Sequence, residues 1–479
     1  MNSLTQQISR PLIRGRVIPK SILATSMLSL PMMLCCCLLN DYPITGLLSL
    51  AALLAVLIPL FSIRPLLLLK YLGMVFSWAS TIIGCVVVEY SNMYLSELTV
   101  VSFFEGSLPL YCLTCWIFFV LLFLFDSRLD SQKADFPVRT TLSLNGNLVH
   151  YVSIAILVLL CVMFANVASR PSFMLGIDRF EYSSLHSLGL IGTVANFMNW
   201  LIVIPMLAFK NGERLLGGFC VILYCLYLFW TGTKFGGFFS VLCFIPLVYY
   251  DRILALDRTR LSSLAKRFGI AFVALLLVAV ASFTVASDKD AGTYLQERTA
   301  QQGQLWWRTF GITQGKPHIG ELSNELDATL RPTDSIAENV GANNGIYKIM
   351  YLCAPASIVD SKLESGSRYS SAGYAAAYYY GGSFGPIAYA ALMSILVSFF
   401  TNLFVRMVTL NNAVLVILTA RLFRICSSVA SMFLFSELIE PISILSYCVI
   451  AIYLMLIRKQ GSSVSRKMRT TTIRESFGV

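Results

Sequence analysis

Arg179, Lys234, Arg298, Arg308, Arg368, Arg421 and Arg424 lie beside or between apolar runs, away from the basic connections that hold most of the Lys and Arg. A charge inside an apolar span costs at least about 2.5 kcal/mol on insertion scales, so such a residue is a functional candidate by default. Arginines suit a di-anionic or pyrophosphate group, because the guanidinium fork matches phosphate oxygens and stays charged. Aromatic side chains accompany them: Trp306 and Trp307, then Tyr369, Tyr374, Tyr378, Tyr379 and Tyr380. These suit stacking on the apolar faces of sugars or anchoring at lipid headgroups. His318, in TQGKPHIGEL, is a candidate base. Cations and stacking surfaces, in a chain without nucleotide-binding motifs, fit a sugar carried on a lipid pyrophosphate.

Each residue also has a plainer reading. Arg170 closely follows an apolar run and reads as a snorkelling anchor. Arg421 and Arg424, in VILTARLFRICSS, have Glu437 and Glu440 downstream as ion-pair partners. Asp178 and Glu181 flank Arg179 as a local pair, and His318 also reads as an ordinary loop histidine. Lys234 is harder to dismiss, because Gly232, Gly236 and Gly237 let backbone approach it closely. Lys316 and Lys362 read as solvated.

The elements that must position these residues follow from composition. Hydrophobic residues make up 57% of the 479 and charged residues 13%, with a mean hydropathy of +0.72. A soluble domain carries about 25% charged residues. Apolar runs recur at the roughly 20-residue length that crosses a bilayer, which predicts an all-α polytopic membrane protein of about twelve transmembrane helices. They begin near Ser21, Ile44, Pro65, Leu108, Leu148, Leu188, Leu215, Phe235, Phe268, Phe384, Asn412 and Pro441. The first run lacks a small-residue cleavage site before Asp41 and reads as retained. Most of the 36 Lys and Arg fall in alternate connections, which predicts cytoplasmic N- and C-termini. Residues 1–286 then hold the first nine spans, 287–383 one large periplasmic loop, 384–457 the last three spans, and 458–479 a basic cytoplasmic tail.

The net charge of +11 is mostly this orienting bias and predicts no nucleic-acid partner. Most of the 13 Cys lie in apolar runs and read as small hydrophobes. Cys112 and Cys115 spell CxxC inside a span, without the soluble context of a redox or zinc motif, and Cys353 stands alone in the long polar segment. The chain contains no Walker motif, no Gly-rich dinucleotide fingerprint and no HExxH, which argues against a nucleotide-driven pump and predicts neither metal nor cofactor.

With its late dominant loop, the plan resembles the Wzy-type polymerases, bacterial inner-membrane enzymes that polymerise lipid-linked repeat units of O-antigen or capsule. Locally the resemblance rests on DRF at Asp178, TGTKFGGFFS from Thr231, RTAQQGQLWW from Arg298 and GSRYSSAGYAAAYYYGGSFG from Gly366. It implies a metal-independent glycosyltransferase, with a growing glycan on undecaprenyl pyrophosphate as donor and one repeat unit on the same carrier as acceptor. Its partners would be those lipid-linked oligosaccharides, membrane lipid and a chain-length regulator protein. Arg179, Lys234, Arg298 and Arg308 would form a cationic clamp, with Arg421 or Arg424 lining the same cavity. Arg368, Trp306 and Trp307 would bind substrate, and His318, Glu321 or Glu181 would take the acceptor proton. Two other readings stay open. A lipid-linked oligosaccharide flippase would be expected to show short loops and internal repeats, and neither is evident. An O-antigen ligase would be expected to use a loop histidine, for which His318 is available.

Overall fold

The computed structural model describes residues 20–131, 146–175, 182, 197–232, 236–286, 291–330, 344–365 and 367–455. In hydrocarbon a backbone must satisfy its own N–H and C=O groups, and the apolar runs accordingly fold as helices. The first half comprises α1 (Lys20–Leu38), α2 (Pro43–Ile63), α3 (Pro65–Lys70), α4 (Leu72–Ser91), α5 (Leu108–Ser131), α6 (Gly146–Val167) and α7 (Ser172–Leu175). Between α4 and α5 stands a small antiparallel hairpin, β1 (Tyr94–Leu95) and β2 (Val100–Val101). The chain continues with α8 (Val203–Asn211), α9 (Arg214–Trp230), α10 (Gly236–Val248), α11 (Tyr250–Leu254) and α12 (Arg258–Ala286). The last third holds α13 (Ala291–Thr313), α14 (Leu322–Leu330), α15 (Gly345–Cys353), α16 (Ala356–Glu364) and α17 (Gly373–Gly381). It ends with α18 (Gly385–Thr409), α19 (Ala413–Met432), α20 (Ser436–Ile439) and α21 (Pro441–Met455).

Among the described residues six segments are long and apolar enough to cross a membrane: 43–63, 72–91, 108–126, 147–167, 373–409 and 413–432. Five more apolar helices are shorter, including 24–38 and 441–455. The chain is thus an all-α membrane protein. The 373–409 stretch is not one straight helix. Gly382 adopts φ +56 and a Cβ on Gly385 would lie 1.8 Å from the carbonyl oxygen of Ala377, so α17 folds back onto α18 through a 3₁₀ turn at 382–384. Only glycine tolerates both conditions.

Within the polar segment 287–383, expected as a large periplasmic loop, the described residues fold as helices that pack on the helical body. Helix α13 packs along α4, and the two backbones meet at glycines: a Cβ on Gly303 would lie 2.2 Å from the nitrogen of Cys85. Gly84 stands two turns short of Ser91, so this crossing lies roughly 10 Å inside the end of α4. Trp306 and Trp307 are both 0% exposed. Trp306 donates its indole N–H to the Ser107 carbonyl at 3.1 Å, and Trp307 donates to that of Phe103 at 2.9 Å. The Tyr-rich stretch is likewise internal, with Tyr374 against Trp78 at 4.1 Å and Phe310 stacked on Tyr378 at 5.2 Å. These aromatics belong to the core and are closed to a sugar. Gly303→Val should force α4 and α13 apart and cost about 1–3 kcal/mol of stability. A thermal-unfolding midpoint in detergent equal to wild type would show that the contact is dispensable.

The side chain of Lys70, at the end of α3, is 0% exposed. It meets Asp126 at 2.5 Å and Asn402 at 2.7 Å, while Tyr71 donates to the same carboxylate at 2.7 Å and the Asn402 amide does so at 3.0 Å. The network ties α3, α5 and α18 together far from the polar segment. A lone buried charge would be costly, and each member here is satisfied by another.

Candidate functional site

Arg421 and Arg424 are three residues apart on α19, so they project toward adjoining faces of that helix. The face of Arg421 is occupied by its own downstream chain. After Met432 the backbone turns at Phe433 (φ 62) and runs back beside α19. Arg421 then meets Glu440 at 2.8 Å and donates to the Ser443 hydroxyl at 3.0 Å. Arg421 lies three turns before Met432, so this pair draws the chain after Met432 back alongside α19, and Arg421 is largely engaged by it.

Glu437 lies on α20 within this connection, and Ser428, Arg368 and Arg424 act on its carboxyl electrostatically. Burial raises the Glu437 carboxyl above its ordinary value, with Ser428 and the two arginines working in the opposite direction. The Arg368 guanidinium lies over the ring of Tyr347 at 5.3 Å. Among the described residues Arg368, Arg424 and Glu437 form no ion pair. Neither arginine meets the Glu437 carboxyl at ion-pair distance.

The same stretch of α19 borders a small cleft of about 10 Å³, room for about one water. Ser77 and Thr81 of α4, Tyr111 of α5, Tyr374 of α17 and Ser371 line it together with Ser427 and Ser431. Thr81, Ser427 and Ser431 donate to carbonyls of their own helices, which leaves their oxygens as acceptors. The Tyr374 hydroxyl is buried without a hydrogen-bond partner. Ser371 is held at φ +59, a strained conformation for a residue with a Cβ. Strain and an unsatisfied hydroxyl in one cleft are features that cluster at functional sites.

The remaining expected site residues form separate groups. Arg308 places a buried Nε without a hydrogen bond, near Glu105 and Cys353. Burial raises the Glu105 carboxyl and Arg308 pulls it back, while burial pushes the Cys353 thiol up to about 12. His318 stacks on Tyr379 at 4.3 Å, and Tyr379 donates to Glu321 at 3.0 Å. Lys348 pairs with Glu321 at 2.7 Å, and that hydrogen bond holds the Glu321 carboxyl below its usual range. Arg298 is exposed, donating to Gln301 at 2.9 Å and lying over Tyr294 at 5.4 Å. Arg179, Glu181 and Lys234 lie outside the described residues. Arg298, Arg308 and the Arg368–Arg424 pair therefore occupy different surroundings, and Trp306 and Trp307 serve the core. Lys362, read as solvated, pairs with Glu97 at 2.6 Å and fastens the β1–β2 hairpin to α16. Among the described residues no three His, Cys, Asp or Glu side chains gather as metal ligands do.

Sequence reasoning offered Glu437 only as an ion-pair partner and passed over Ser428, Tyr347 and Lys348. The available signal was a pair of acids three apart in LFSELIEPIS, immediately after the one apolar run that carries two arginines.

Residues 339–448 match a family of unknown function (DUF6418), a segment covering less than a quarter of the chain. That segment contains Arg368, Arg421, Arg424, Ser428, Glu437 and Glu440, and excludes Arg298, Arg308, His318 and Glu321. No curated protein and no solved structure matches the chain.

Proposed function

We propose that the protein is an inner-membrane glycosyltransferase that joins undecaprenyl-pyrophosphate-linked oligosaccharide repeat units into O-antigen or capsular polysaccharide at the periplasmic face. The observation that carries this reading is that Arg368 and Arg424, which form no ion pair among the described residues, each lie three residues from a hydroxyl, Ser371 and Ser427, that lines a small cleft inside a helical membrane body. A pyrophosphate leaving group needs positive charge that is not already neutralised, and guanidinium groups supply it without a metal. Serine and threonine hydroxyls at the cleft are of the kind that hydrogen-bond a sugar or a phosphate. About twelve spans with both termini cytoplasmic complete the arrangement, with the donor glycan and the acceptor repeat unit as substrates and a chain-length regulator as partner.

Deleting the gene should leave surface glycan of a single repeat unit, seen as one band in place of a ladder on gels of extracted lipopolysaccharide or capsule. Loss of the single-unit band as well would overturn the polymerase reading in favour of a flippase or a ligase.

A further inference from the structure

Four apolar side chains late in the polar segment stand outside the core. Ile319, Leu322, Leu326 and Leu330 are 67, 38, 60 and 72% exposed. Ile319 lies in the 3₁₀ turn 319–321, and the other three lie on α14, which follows it directly. At helical spacing the four fall within about 80° of one another, as a single stripe. Glu325 lies off that stripe and is turned inward. It accepts from the Gly345 N–H and, at 2.6 Å, from the Tyr380 hydroxyl. Helix α14 is thus fastened by a polar side chain and presents its apolar side outward.

The anchor points of this segment fix where that side faces. Helices α18 and α19 lie in two of the segments long enough to cross a membrane, and they pack together across the short connection 410–412. The start of α18 and the end of α19 therefore share one end of the body. The chain before α14 meets the start of α18. A Cβ on Gly382 would lie 2.6 Å from the Gly315 carbonyl oxygen, and the His318 N–H donates to the Tyr379 carbonyl at 3.1 Å. Helix α14 itself packs on α20, which is separated from the end of α19 by residues 433–435. Each anchor carries an exposed apolar side chain of its own, Phe384 in the turn before α18 and Ile439 on α20.

We propose that α14 lies in the plane of the membrane surface, with Ile319, Leu322, Leu326 and Leu330 seated between lipid headgroups and acyl chains. An amphipathic helix in that position buries its apolar face about 5–10 Å deep. Lipid fits the stripe better than a protein partner does, because the stripe is aliphatic throughout and lacks the Trp, Tyr and Arg that anchor protein interfaces. Residues 319–330 contain no Lys or Arg and three acidic residues, so hydrocarbon rather than anionic headgroups is what they bind. This placement holds whichever chemistry the protein performs. It also sets Glu321, paired with Lys348 at 2.7 Å just before α14, at headgroup level.

The test uses full-length protein reconstituted in phosphatidylcholine vesicles, with a fluorescent amino acid incorporated at Leu326 or, separately, at Asp327, about 100° further round α14. Lipid brominated on its acyl chains near the headgroup should quench the Leu326 probe about twofold or more, as the shallow depth requires. Bromine near the methyl ends should quench it less, and the Asp327 probe should respond less to either lipid. Replacing half of the phosphatidylcholine with anionic phosphatidylglycerol should change nothing. A Leu326 probe as bright in brominated lipid as in plain lipid would overturn the proposal. Self-quenching between labelled copies in its place would assign the stripe to a second copy of the chain. Quenching seen only in anionic bilayers would also overturn it, because the stripe has no cation to account for that dependence. Should the Leu326 form fail to accumulate, the probe at Leu330, the last residue of α14, decides by the same criteria.

Discussion

Alanine at Arg424 is expected to remove long-chain glycan while the protein still accumulates in the membrane at its normal level. The side chain is exposed and forms no ion pair among the described residues, so its removal leaves no orphaned partner and little stability is at stake. What is lost is one charge-assisted contact to a leaving pyrophosphate. Such contacts contribute about 2.7–4 kcal/mol to transition-state binding, or roughly 100- to 1,000-fold in rate. Arg368→Ala should behave alike, with a small added loss from its stacking on Tyr347. Lysine at either position should restore part of the activity, because charge returns without the bidentate fork. Arg298→Ala should be mild, since that residue lies in other surroundings on the exposed start of α13. Glycan ladders compared at matched expression decide the matter. Full-length ladders from both the Arg424 and Arg368 variants would dissociate this cluster from the chemistry.

Trp306→Ala should unfold the protein rather than disarm it. The side chain is 0% exposed and packs against Tyr111 at 5.1 Å and Tyr378 at 5.5 Å. Deleting a buried Trp costs about 3–5 kcal/mol, and here the Ser107 carbonyl also loses its donor. Trp306→Phe keeps most of the ring packing and forfeits the hydrogen bond, for a loss of about 1–3 kcal/mol. Thermal unfolding in detergent, together with the amount of protein recovered from membranes, measures both. Full recovery of a Trp306→Ala protein with a wild-type midpoint and no polymerisation would return this residue to the substrate.

The apolar helices were legible in the sequence because a lipid-facing helix is apolar over most of its surface, as 43–63 and 147–167 are. Helix α13 was not, because its buried face is diluted by the polar residues of QERTAQQGQ. Its inward positions, Ala300, Gly303, Gln304, Trp307 and Gly311, follow helical spacing, but their contact with α4 depends on glycine rather than on apolar bulk. Trp306 and Trp307 were misassigned for a related reason. An indole with one polar atom fits a headgroup interface or a sugar platform as well as a core with a carbonyl in reach, and sequence does not distinguish these. An ion pair between Arg421 or Arg424 and Glu437 or Glu440 was legible on charge alone, but which of them pair, Arg421 with Glu440, required the fold. That Glu437 forms no ion pair among the described residues also required the fold.

The network around Lys70 also sets a timetable for the nascent chain. Lys70 and Asp126 are 56 residues apart and reach the bilayer in quick succession, but Asn402 follows Asp126 by 276 residues. At about 5–20 residues per second, that gap lasts on the order of 14–55 s. During it α3 and α5 hold a charged pair whose remaining hydrogen-bond partner has not yet been synthesised, in a medium where each unmet polar group costs several kcal/mol. A ribosome stalled before α18 would leave that pair displayed to insertases and membrane proteases. The half-made protein thus carries its own mark of incompleteness, erased when residue 402 is delivered.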